Sequence, residues 1–566
     1  MADDYQSEFP YWSIYYDDEG YDIKGNRIMG RQAAGWSFLK ALIKDDPKRI
    51  SAYIKNQEQK ELLLKKVKPL MKKDQQLEVD FIPYNQPHKS EPYGGIFLPG
   101  PGINDFASKR SIHGHNKYSL VGITHTTASH AVMSGISNII MSDIMPWDAI
   151  ICTSSCVLDT VEKIIDHRYQ RLKSKFNISK PELPLLPVIP LGLDVDEFNY
   201  SEDFKKKSRL SLDINDEDIV IAYVGRLSFH AKAHHLPMYL AIEEISKELK
   251  DGQKIHIIQT GWFANDFVKE SFVEEGIKIC PSIKFHFLDG KDQDNKHKTL
   301  AAGDIFVSLS DNIQETFGLT PLEGMAAGLP VLVSDWDGYK STARDSVDGF
   351  RAKTISLPDG YGEDIAYRYM MNDINYDLYV GLSVQKVSVD IKDCIEKLRI
   401  LVTNDEQRKK FGESAKIRAK EDFNWPVILS MYRNLSSELN KIRETVSLNY
   451  KTFCLKSLPS DRQDPFFTFS SYPSNILSKK TVLYKLDNIN SLSFNELLKF
   501  KSVEYAQRDL PTEDNIKSIY ELFSTNNKLN VNQVINSTNI EETKVFETII
   551  WLIKFGYLTT RGNDDG

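Results

Sequence analysis

The chain has 566 residues, of which 41% are hydrophobic; it is too long for one hydrophobic core and predicts about two to four domains. Its 71 basic and 79 acidic residues leave a formal net charge of −8, which argues against a protein that mainly coats nucleic acid. Five cysteines without a C-x-x-C spacing fit neither a disulfide framework nor a zinc ribbon, so we expect a cytoplasmic protein.

Short apolar or β-branched runs alternate with longer helical patterns along the first part of the chain. The predicted strands are residues 11–16, 49–54, 77–82, 94–98, 119–124, 148–154 and 186–192. This alternation is typical of βαβ units with a parallel sheet. We therefore predict an α/β, Rossmann-like N-terminal domain over residues 1–205.

Residues 60–73, KELLLKKVKPLMKK, bear on membrane contact because Leu62, Leu63, Leu64 and Val67 stand there beside five lysines between residues 65 and 73. The pattern is typical of a helix lying on anionic lipid and equally of a solvated helix face. No apolar run reaches the ~18 residues of a spanning helix, and the acidic residues 1–20 do not read as a signal peptide. Any membrane contact is therefore expected to be peripheral, at the inner face.

The strand pattern restarts after a charged stretch near residues 201–218. The predicted strands there are residues 219–225, 254–261, 283–290, 304–310 and 329–335. A second Rossmann-like domain over residues 206–425 follows from this pattern. Ligands of such sheets bind beyond the carboxyl ends of the strands, so the cleft between two facing sheets is the expected site.

Two glutamates, Glu315 and Glu323, lie around the loop that follows the strand ending at Ser310. A helix is predicted to begin at Thr320-Pro321 and to end at Gly328. One interpretation is a capping box, because Thr320 and Glu323 have its spacing. The alternative is a ligand site, since a helix N-terminus favours phosphate and a carboxylate accepts hydrogen bonds from sugar hydroxyls.

The stretch ETFGLTPLEGMAAGLPVLVSD, residues 315–335, resembles the donor-site signature of a known enzyme family. That family comprises the retaining, nucleotide-sugar-dependent glycosyltransferases of the two-Rossmann-domain (GT-B) class, specifically glycosyltransferase family 4 (group 1). Further segments stand in the family's order, at residues 30–35, 147–154, 188–198 and 224–232. The resemblance spans roughly residues 11–440.

The resemblance implies roles for five side chains. Glu315 would accept hydrogen bonds from the donor sugar, and Glu323 from the ribose of the nucleotide. Arg226 and Lys232 would neutralise the diphosphate as the glycosidic bond breaks, although a solvated basic loop is the alternative for this pair. His125, directly after a predicted strand, would contact the sugar.

The resemblance also implies a set of donor-binding positions. Gly30 and Gly35 would bracket a turn before a helix, where the backbone could approach a diphosphate or an acceptor. The complete donor-binding set is Gly30, Gly225, Thr316, Phe317, Gly318, Leu319 and Glu323.

Two segments depart from the family pattern. Lys232 follows Arg226 by six positions, one residue more than usual, and lacks the following glycine. In residues 334–350 a single Gly338 is followed by Tyr339 and Lys340, where many members have two glycines and a glutamate. Candidate cleft-lining residues of this second segment are Asp335, Trp336, Asp337 and Tyr339.

The family's chemistry implies a retaining hexosyltransferase without a bound metal or a tightly held cofactor. The donor would be a UDP- or GDP-linked sugar, and the acceptor an unidentified glycan, lipid or protein. Retention would follow from attack on the front face, in which the leaving diphosphate takes the acceptor's proton. The N-terminal domain would bind the acceptor, and the second domain the donor.

Residues 426–447 are predicted to form a helix that crosses back to the N-terminal domain, and residues 448–566 an accessory module. Its helical patterns followed by GYLTT resemble a winged-helix module. Few basic residues fall on its later helices, so docking of a protein partner or self-association is favoured over nucleic-acid binding.

Other functions remain open from the sequence alone. A nucleotide-sugar epimerase and a glycogen-type phosphorylase also use paired Rossmann domains, but the phosphorylase needs a pyridoxal lysine and a longer chain. A non-catalytic regulator that acts through its C-terminal module is a further alternative. Release of a nucleoside diphosphate only in the presence of an acceptor would distinguish transfer from epimerisation.

Overall fold

A computed structural model describes residues 11–22, 30–446, 458–459, 462–486 and 489–561. The chain divides into two compact units, Met1–Pro459 and Ser460–Gly566. Within the described ranges, no helix is long and apolar enough to cross a membrane.

Six strands form the first sheet of the larger unit: β1 (Ser13–Tyr15), β2 (Arg49–Ile54), β3 (Glu78–Pro83), β4 (Gly95–Leu98), β5 (Ser119–Ile123) and β6 (Ala149–Ile151). All neighbours are parallel, in the order β3-β2-β1-β4-β5-β6. Ile14 of β1 stands in register with Ala52 of β2 and with Phe97 of β4. The accompanying α-helices are α1 (Gly30–Lys44), α2 (Gln57–Val67), α3 (Asn104–Ser111), α4 (His130–Ser137) and α5 (Ser155–Phe176).

A second six-stranded parallel sheet repeats this topology. Its strands are β7 (Ile219–Val224), β8 (Ile255–Gly261), β9 (Lys284–Asp289), β10 (Ile305–Ser308), β11 (Val331–Ser334) and β12 (Gly349–Ala352). Its helices are α6 (Glu202–Leu210), α7 (His235–Ser246), α8 (Asp266–Ile279), α9 (Gln293–Ala302), α10 (Leu319–Ala326) and α11 (Tyr339–Thr342). The order β12-β11-β10-β7-β8-β9 makes β7 and β10 neighbours at the point where the winding direction reverses, which is where ligands of such sheets bind.

The apolar composition of these strands explains their position. Every residue of β7 and of β8 is buried, as expected for parallel strands covered by helices on both faces. The predicted fold, two Rossmann-like domains in one α/β unit followed by a smaller helical region, is confirmed.

Two local predictions in the N-terminal half were wrong. Residues 186–192 form no strand; their stretch of chain makes only isolated bridges to the edge of the first sheet, including Cys152 with Val188. Gly30 and Gly35 do not bracket a turn, because α1 already begins at Gly30. Gly35 lies inside that helix, where a Cβ would collide with the carbonyl oxygen of Gly20, so its role is close packing.

A hairpin carrying two helices extends from the second domain. Its antiparallel strands are β13 (Thr354–Ser356) and β14 (Val387–Val389). Between them, residues 357–386 form the helical insert, with α12 (Glu363–Met370) and α13 (Tyr376–Val384).

Three longer helices close the larger unit: α14 (Ile391–Thr403), α15 (Asp405–Asp422) and α16 (Trp425–Val446). Helix α16 lies against the first sheet and α1. Trp425 Nε1 donates to Ser37 Oγ at 2.8 Å, and Tyr432 packs beside Trp12 and Phe38.

The smaller unit has its own apolar core. Its elements are α17 (Pro465–Thr468), β15 (Val482–Lys485), α18 (Phe494–Leu498), α19 (Lys501–Glu504), α20 (Glu513–Thr525), β16 (Lys528–Asn530), α21 (Val531–Asn536), α22 (Glu542–Lys554) and β17 (Leu558–Thr559). The three strands form an antiparallel sheet in the order β16-β15-β17. Ile549, Leu552 and Tyr557 are buried in this core, whereas Ile550 is half exposed.

The lysine-rich stretch 60–73 begins in α2 and turns its apolar side inward. Leu63 and Val67 are buried, and Leu62 packs against the same core. Contact with anionic lipid would therefore depend on the lysines alone.

Candidate active site

Two loops meet where β7 and β10 end side by side. The Arg226 loop (residues 225–234) follows β7, and the Glu315 loop (residues 309–318) follows β10. Gly225 has a φ of +144°, and a Cβ on Gly261 of the adjacent strand end would collide with the Gly225 carbonyl oxygen. Gly225 therefore lets the backbone turn sharply at this edge of the sheet.

Glu315 forms an ion pair with Lys232 across the two loops. Their side chains are only 13% and 16% exposed. Burial by itself would raise the pKa of Glu315, but the Lys232 ammonium and the backbone N–H groups of Thr316 and Phe317 outweigh it, so the pKa is lowered. Glu315 is thus an ionised carboxylate in a largely dry site.

Asn312 holds the Glu315 loop in this position. Its Oδ1 accepts hydrogen bonds from the backbone N–H groups of Gln314, at 2.9 Å, and Glu315, at 3.2 Å. Its Nδ2 donates to the carbonyl oxygen of Lys232 at 2.6 Å, and Ser310 Oγ donates to the same oxygen at 2.9 Å. One hydrogen-bond network therefore holds the backbone at both Glu315 and Lys232.

Glu323 lies on the first helix after this loop, and the capping-box interpretation does not hold. Helix α10 begins at Leu319, and its N-cap is Gly318, with a φ of +89° and no side-chain cap hydrogen bond. Glu323 Oε1 instead pairs with Lys296 at 3.0 Å. Glu323 Oε2 and Thr320 Oγ1 are both buried, and neither has a hydrogen-bond partner within the described residues.

Arg226 is a partly buried cation of the same site. Its Nη2 donates to the carbonyl oxygen of Ala231 at 2.8 Å, and its guanidinium lies 5.9 Å from the ring centroid of Trp262. Burial lowers the pKa of Arg226, although the group stays charged. In the part of the chain that the structure describes, no carboxylate forms an ion pair with it.

His125 lies at the end of β5 in the facing N-terminal domain. Burial, together with the nearby Arg31 guanidinium, lowers the pKa of His125 to about 4, so the imidazole is neutral at pH 7. Its carbonyl oxygen accepts a hydrogen bond from Thr316 Oγ1. The His125 backbone therefore contacts Thr316, the residue that directly follows Glu315.

The helical insert contacts the same N-terminal segment. The ring of Tyr369 stacks on His130 with centroids 3.6 Å apart, and its hydroxyl accepts the His130 backbone N–H at 3.2 Å. The hydroxyls of Tyr376 and Thr126 lie 3.3 Å apart. The insert therefore borders the cleft on the side of residues 126–130.

The segment that departs from the family pattern supplies one more acidic group. Burial and the neighbouring Glu315 raise the pKa of Asp337 to about 8. Trp336 Nε1 donates to the Asn312 carbonyl at 2.8 Å, and Tyr339 is fully buried with its hydroxyl 2.9 Å from Ser308 Oγ. Asp335 pairs with Arg351 at 3.4 Å. Asp337 is thus the acidic residue of this segment that interacts electrostatically with Glu315.

Only some of the predicted site residues lie together in the structure. The structure brings Glu315, Lys232, Gly225 and the α10 N-terminus together, whereas the Phe317 side chain is core against Phe423. Gly30 is the first residue of helix α1, which also carries Arg31, and its donor-binding role stays a prediction. The sequence alone assigned no role to Lys296, Asn312, Ser154, Tyr369 and Tyr376; of these, Ser154 lies at the end of the family-like segment 147–154.

Known proteins resemble the part of the chain that holds this site. The profile of the family described as glycosyl transferases group 1 matches residues 204–367. An uncharacterized glycosyltransferase of Methanocaldococcus jannaschii is 28% identical over 243 residues, covering 41% of this chain and 58% of the relative. A D-inositol 3-phosphate glycosyltransferase of Geodermatophilus obscurus is 27% identical over 168 residues, covering 29% of this chain and 35% of that relative. The chain thus spans less than two thirds of the length of these curated relatives.

Two solved structures are similar at low identity. The structure of HepE from Anabaena in complex with UDP and glucose is 15% identical, with a TM-score of 0.47 over 76% of this chain and 100% of that chain. A glycosyltransferase from Rickettsia africae is also 15% identical, with a TM-score of 0.47 over 76% and 99%. Because both TM-scores are below 0.5, the family membership of this region rests on the sequence match alone. Residues 204–367, with both loops and Glu323, therefore form a domain of the glycosyl transferases group 1 family.

Proposed function

We propose that this chain is a glycosyltransferase that moves a sugar from a nucleoside diphosphate sugar to an acceptor, with retention of the anomeric configuration. The observation that carries the proposal is the unpaired oxygen pair on α10, Glu323 Oε2 and Thr320 Oγ1. Buried polar atoms in folded proteins nearly always have a partner. Ribose hydroxyls would supply the missing donors at this point.

The charges around α10 suit a diphosphate. The first N–H groups of a helix have no acceptor within the helix and favour phosphate. Arg226 and Lys232 add two cations from the neighbouring loop. A diphosphate that draws Lys232 toward itself would release Glu315 to accept hydrogen bonds from the donor sugar.

The chemical step then depends on charge that develops on the leaving diphosphate. Arg226 is placed to stabilise that charge, because it is desolvated and not neutralised by a carboxylate of the described residues. We infer attack on the front face, in which the diphosphate takes the acceptor's proton. Neutral His125 would hydrogen-bond the sugar from the N-terminal side.

The donor can be identified without knowledge of the acceptor. Thermal shifts with UDP, GDP and ADP should show which nucleoside diphosphate stabilises the chain, because a ligand that binds only the folded state raises its melting temperature. Hydrolysis of the corresponding UDP- or GDP-linked sugars then identifies the sugar. Interconversion of the donor sugar without diphosphate release would instead indicate an epimerase.

Two glutamate variants test the assignment of roles. Glu315→Gln should remove most transfer, by roughly two to three orders of magnitude in kcat, and leave nucleoside diphosphate affinity nearly unchanged. Glu323→Gln should weaken binding of the nucleoside diphosphate itself by about tenfold, the effect of one hydrogen bond to a charged group. Glu274→Gln, at an exposed position on α8, is the control. Wild-type transfer by both site variants would refute the donor-site assignment.

A further inference from the structure

Thr316 connects the donor-binding loop to the facing domain through both its backbone and its side chain. The residue is 6% exposed and stands directly after Glu315. Its hydroxyl donates to the His125 carbonyl oxygen. Its own carbonyl oxygen accepts from Ser154 Oγ at 2.9 Å and, more weakly, from Thr153 Oγ1 at 3.5 Å.

Ser154 is fixed in turn by the helix that it caps. Its Oγ accepts the backbone N–H of Val157 at 3.3 Å in the first turn of α5. A serine hydroxyl can accept one such hydrogen bond and donate another. The Ser154 hydroxyl that donates to the Thr316 carbonyl oxygen is therefore oriented by contacts within the N-terminal domain.

A second polar contact lies beside this one. Ser155 Oγ and Ser341 Oγ, from the N-terminal and second domains, are 3.2 Å apart. On the second-domain side, Thr342 Oγ1 donates to the Phe317 carbonyl oxygen at 3.1 Å. Around Thr316 the seam between the domains is thus polar and made of short hydroxyl side chains, whose hydrogen bonds each contribute little net free energy.

We propose that Thr316 and Ser154 are positioning residues that clasp the two domains together and set the position of His125 relative to Glu315. This inference rests on the proposed function, because Glu315 and His125 are the groups assigned to the donor sugar. Thr316 was expected to contact the donor, but its hydroxyl and carbonyl oxygen are both engaged across the seam. A one-residue separation means that opening the clasp moves Glu315 away from His125.

The clasp can be detected without any substrate. Replacing Ser155 and Ser341 by cysteine, in a Cys156→Ser background that removes the adjacent thiol, places two thiols at the seam. Mild oxidation should form a disulfide between them, identified by mass spectrometry of the linked peptides. The rate of formation reports how often the domains are closed.

Removal of the Thr316 hydroxyl should slow that reaction. In the same cysteine background, Thr316→Val should lower the cross-linking rate by about fivefold or more, whereas Thr316→Ser should restore it. Thr299→Val is the matched control, because the Thr299 hydroxyl is buried and bonds only within the second domain. If Thr316→Val fails to fold by circular dichroism, Ser154→Ala removes the other half of the clasp.

Equal cross-linking rates for the parent, Thr316→Val and Ser154→Ala chains, or no cross-link in the parent, would overturn the proposal. Kinetics with the donor identified above add a second readout: Thr316→Val should lower kcat about tenfold and change the donor KM less than threefold, with recovery in Thr316→Ser. A chain that cross-links as expected but transfers no sugar would refute the proposed function and leave the clasp intact.

Discussion

Arg226 and Lys232 belong to one loop, but their surroundings give them different energetic roles. Lys232 has a buried carboxylate partner in Glu315, whereas the guanidinium of Arg226 donates to a neutral carbonyl oxygen. A desolvated cation without a counter-ion costs free energy in the folded state. Such a residue is retained most readily where a ligand supplies the missing negative charge.

Replacement of Arg226 should therefore separate stability from activity. We expect Arg226→Ala to lower kcat/KM by roughly two to four orders of magnitude, while the melting temperature stays the same or rises. Steady-state kinetics and thermal melts measure the two effects. Arg399→Ala, which removes an exposed partner of Glu248, is the control and should leave kcat/KM unchanged. A loss of stability with full activity in the folded fraction would make Arg226 a structural residue.

The Asp337 carboxyl should make stability depend on pH. Burial and Glu315 raise its pKa to about 8 in the folded chain, against about 3.9 in an unfolded one. The neutral form is favoured in the folded state, so the contribution is complete below about pH 4 and is lost as pH rises through about 8. Relative to wild type, Asp337→Asn should gain melting temperature between about pH 4 and about pH 8.

Asparagine is a suitable substitute at this position because Asp337 has a φ of +43°, which asparagine tolerates well. Melts at intervals of about one pH unit measure the difference between the chains. Asp251→Asn, at an exposed site, should show no such trend. A constant difference between wild type and Asp337→Asn across this pH range would contradict the prediction.

At the scale of elements, helix α10 depends on a close approach at its N-cap. Gly318 has a φ of +89°, and a Cβ there would collide with the ring of Tyr339. Gly360, in the helical insert, has nearly the same φ, +87°, but a Cβ there would meet no atom within 4 Å. The two glycines therefore separate backbone strain from steric collision.

Alanine at these positions should have unequal effects. Gly360→Ala should cost about 1 kcal/mol, the strain of a left-handed backbone. Gly318→Ala should cost about 2–4 kcal/mol, since overpacking adds to that strain, and it should weaken nucleoside diphosphate binding by displacing the helix N-terminus. Denaturant unfolding and thermal shifts with nucleotide measure both. Equal losses for the two variants would show that Tyr339 moves aside freely.

At the scale of the whole molecule, the residues assigned to the donor all lie in the unit Met1–Pro459. The unit Ser460–Gly566 has a separate apolar core that includes Leu483, Ile516 and Leu552. A unit with its own core can fold alone. The docking role expected for the C-terminal module stays a prediction.

A chain ending at Pro459 should therefore fold and bind nucleoside diphosphate with the affinity of the full chain, within about twofold. Circular dichroism and calorimetric titration with the diphosphate found by screening test this expectation. A change confined to acceptor use or to molecular mass in solution would assign that property to the smaller unit. Insoluble expression, or loss of nucleotide binding, would show that the smaller unit is part of the catalytic fold.

The sequence by itself determined the two Rossmann-like domains and predicted Glu315 and Glu323 as candidate site residues. Strand and helix periodicity is a local property, and the glutamates, Arg226 and Lys232 stand in short segments directly after apolar strands. The misplaced turn at Gly30 and the missing strand near residue 188 are local errors of the same kind. Neither affects the order of the sheets.

Only the tertiary structure decided which of these groups meet. Lys232 and Glu315 are 83 positions apart, and Thr316 and His125 are 191 positions apart. The strand order sets the first pairing, because β7 and β10 are neighbours although β8 and β9 separate them in sequence. The second pairing needs two domains to face each other. Contacts of this kind depend on distances through space, which no spacing along the chain encodes.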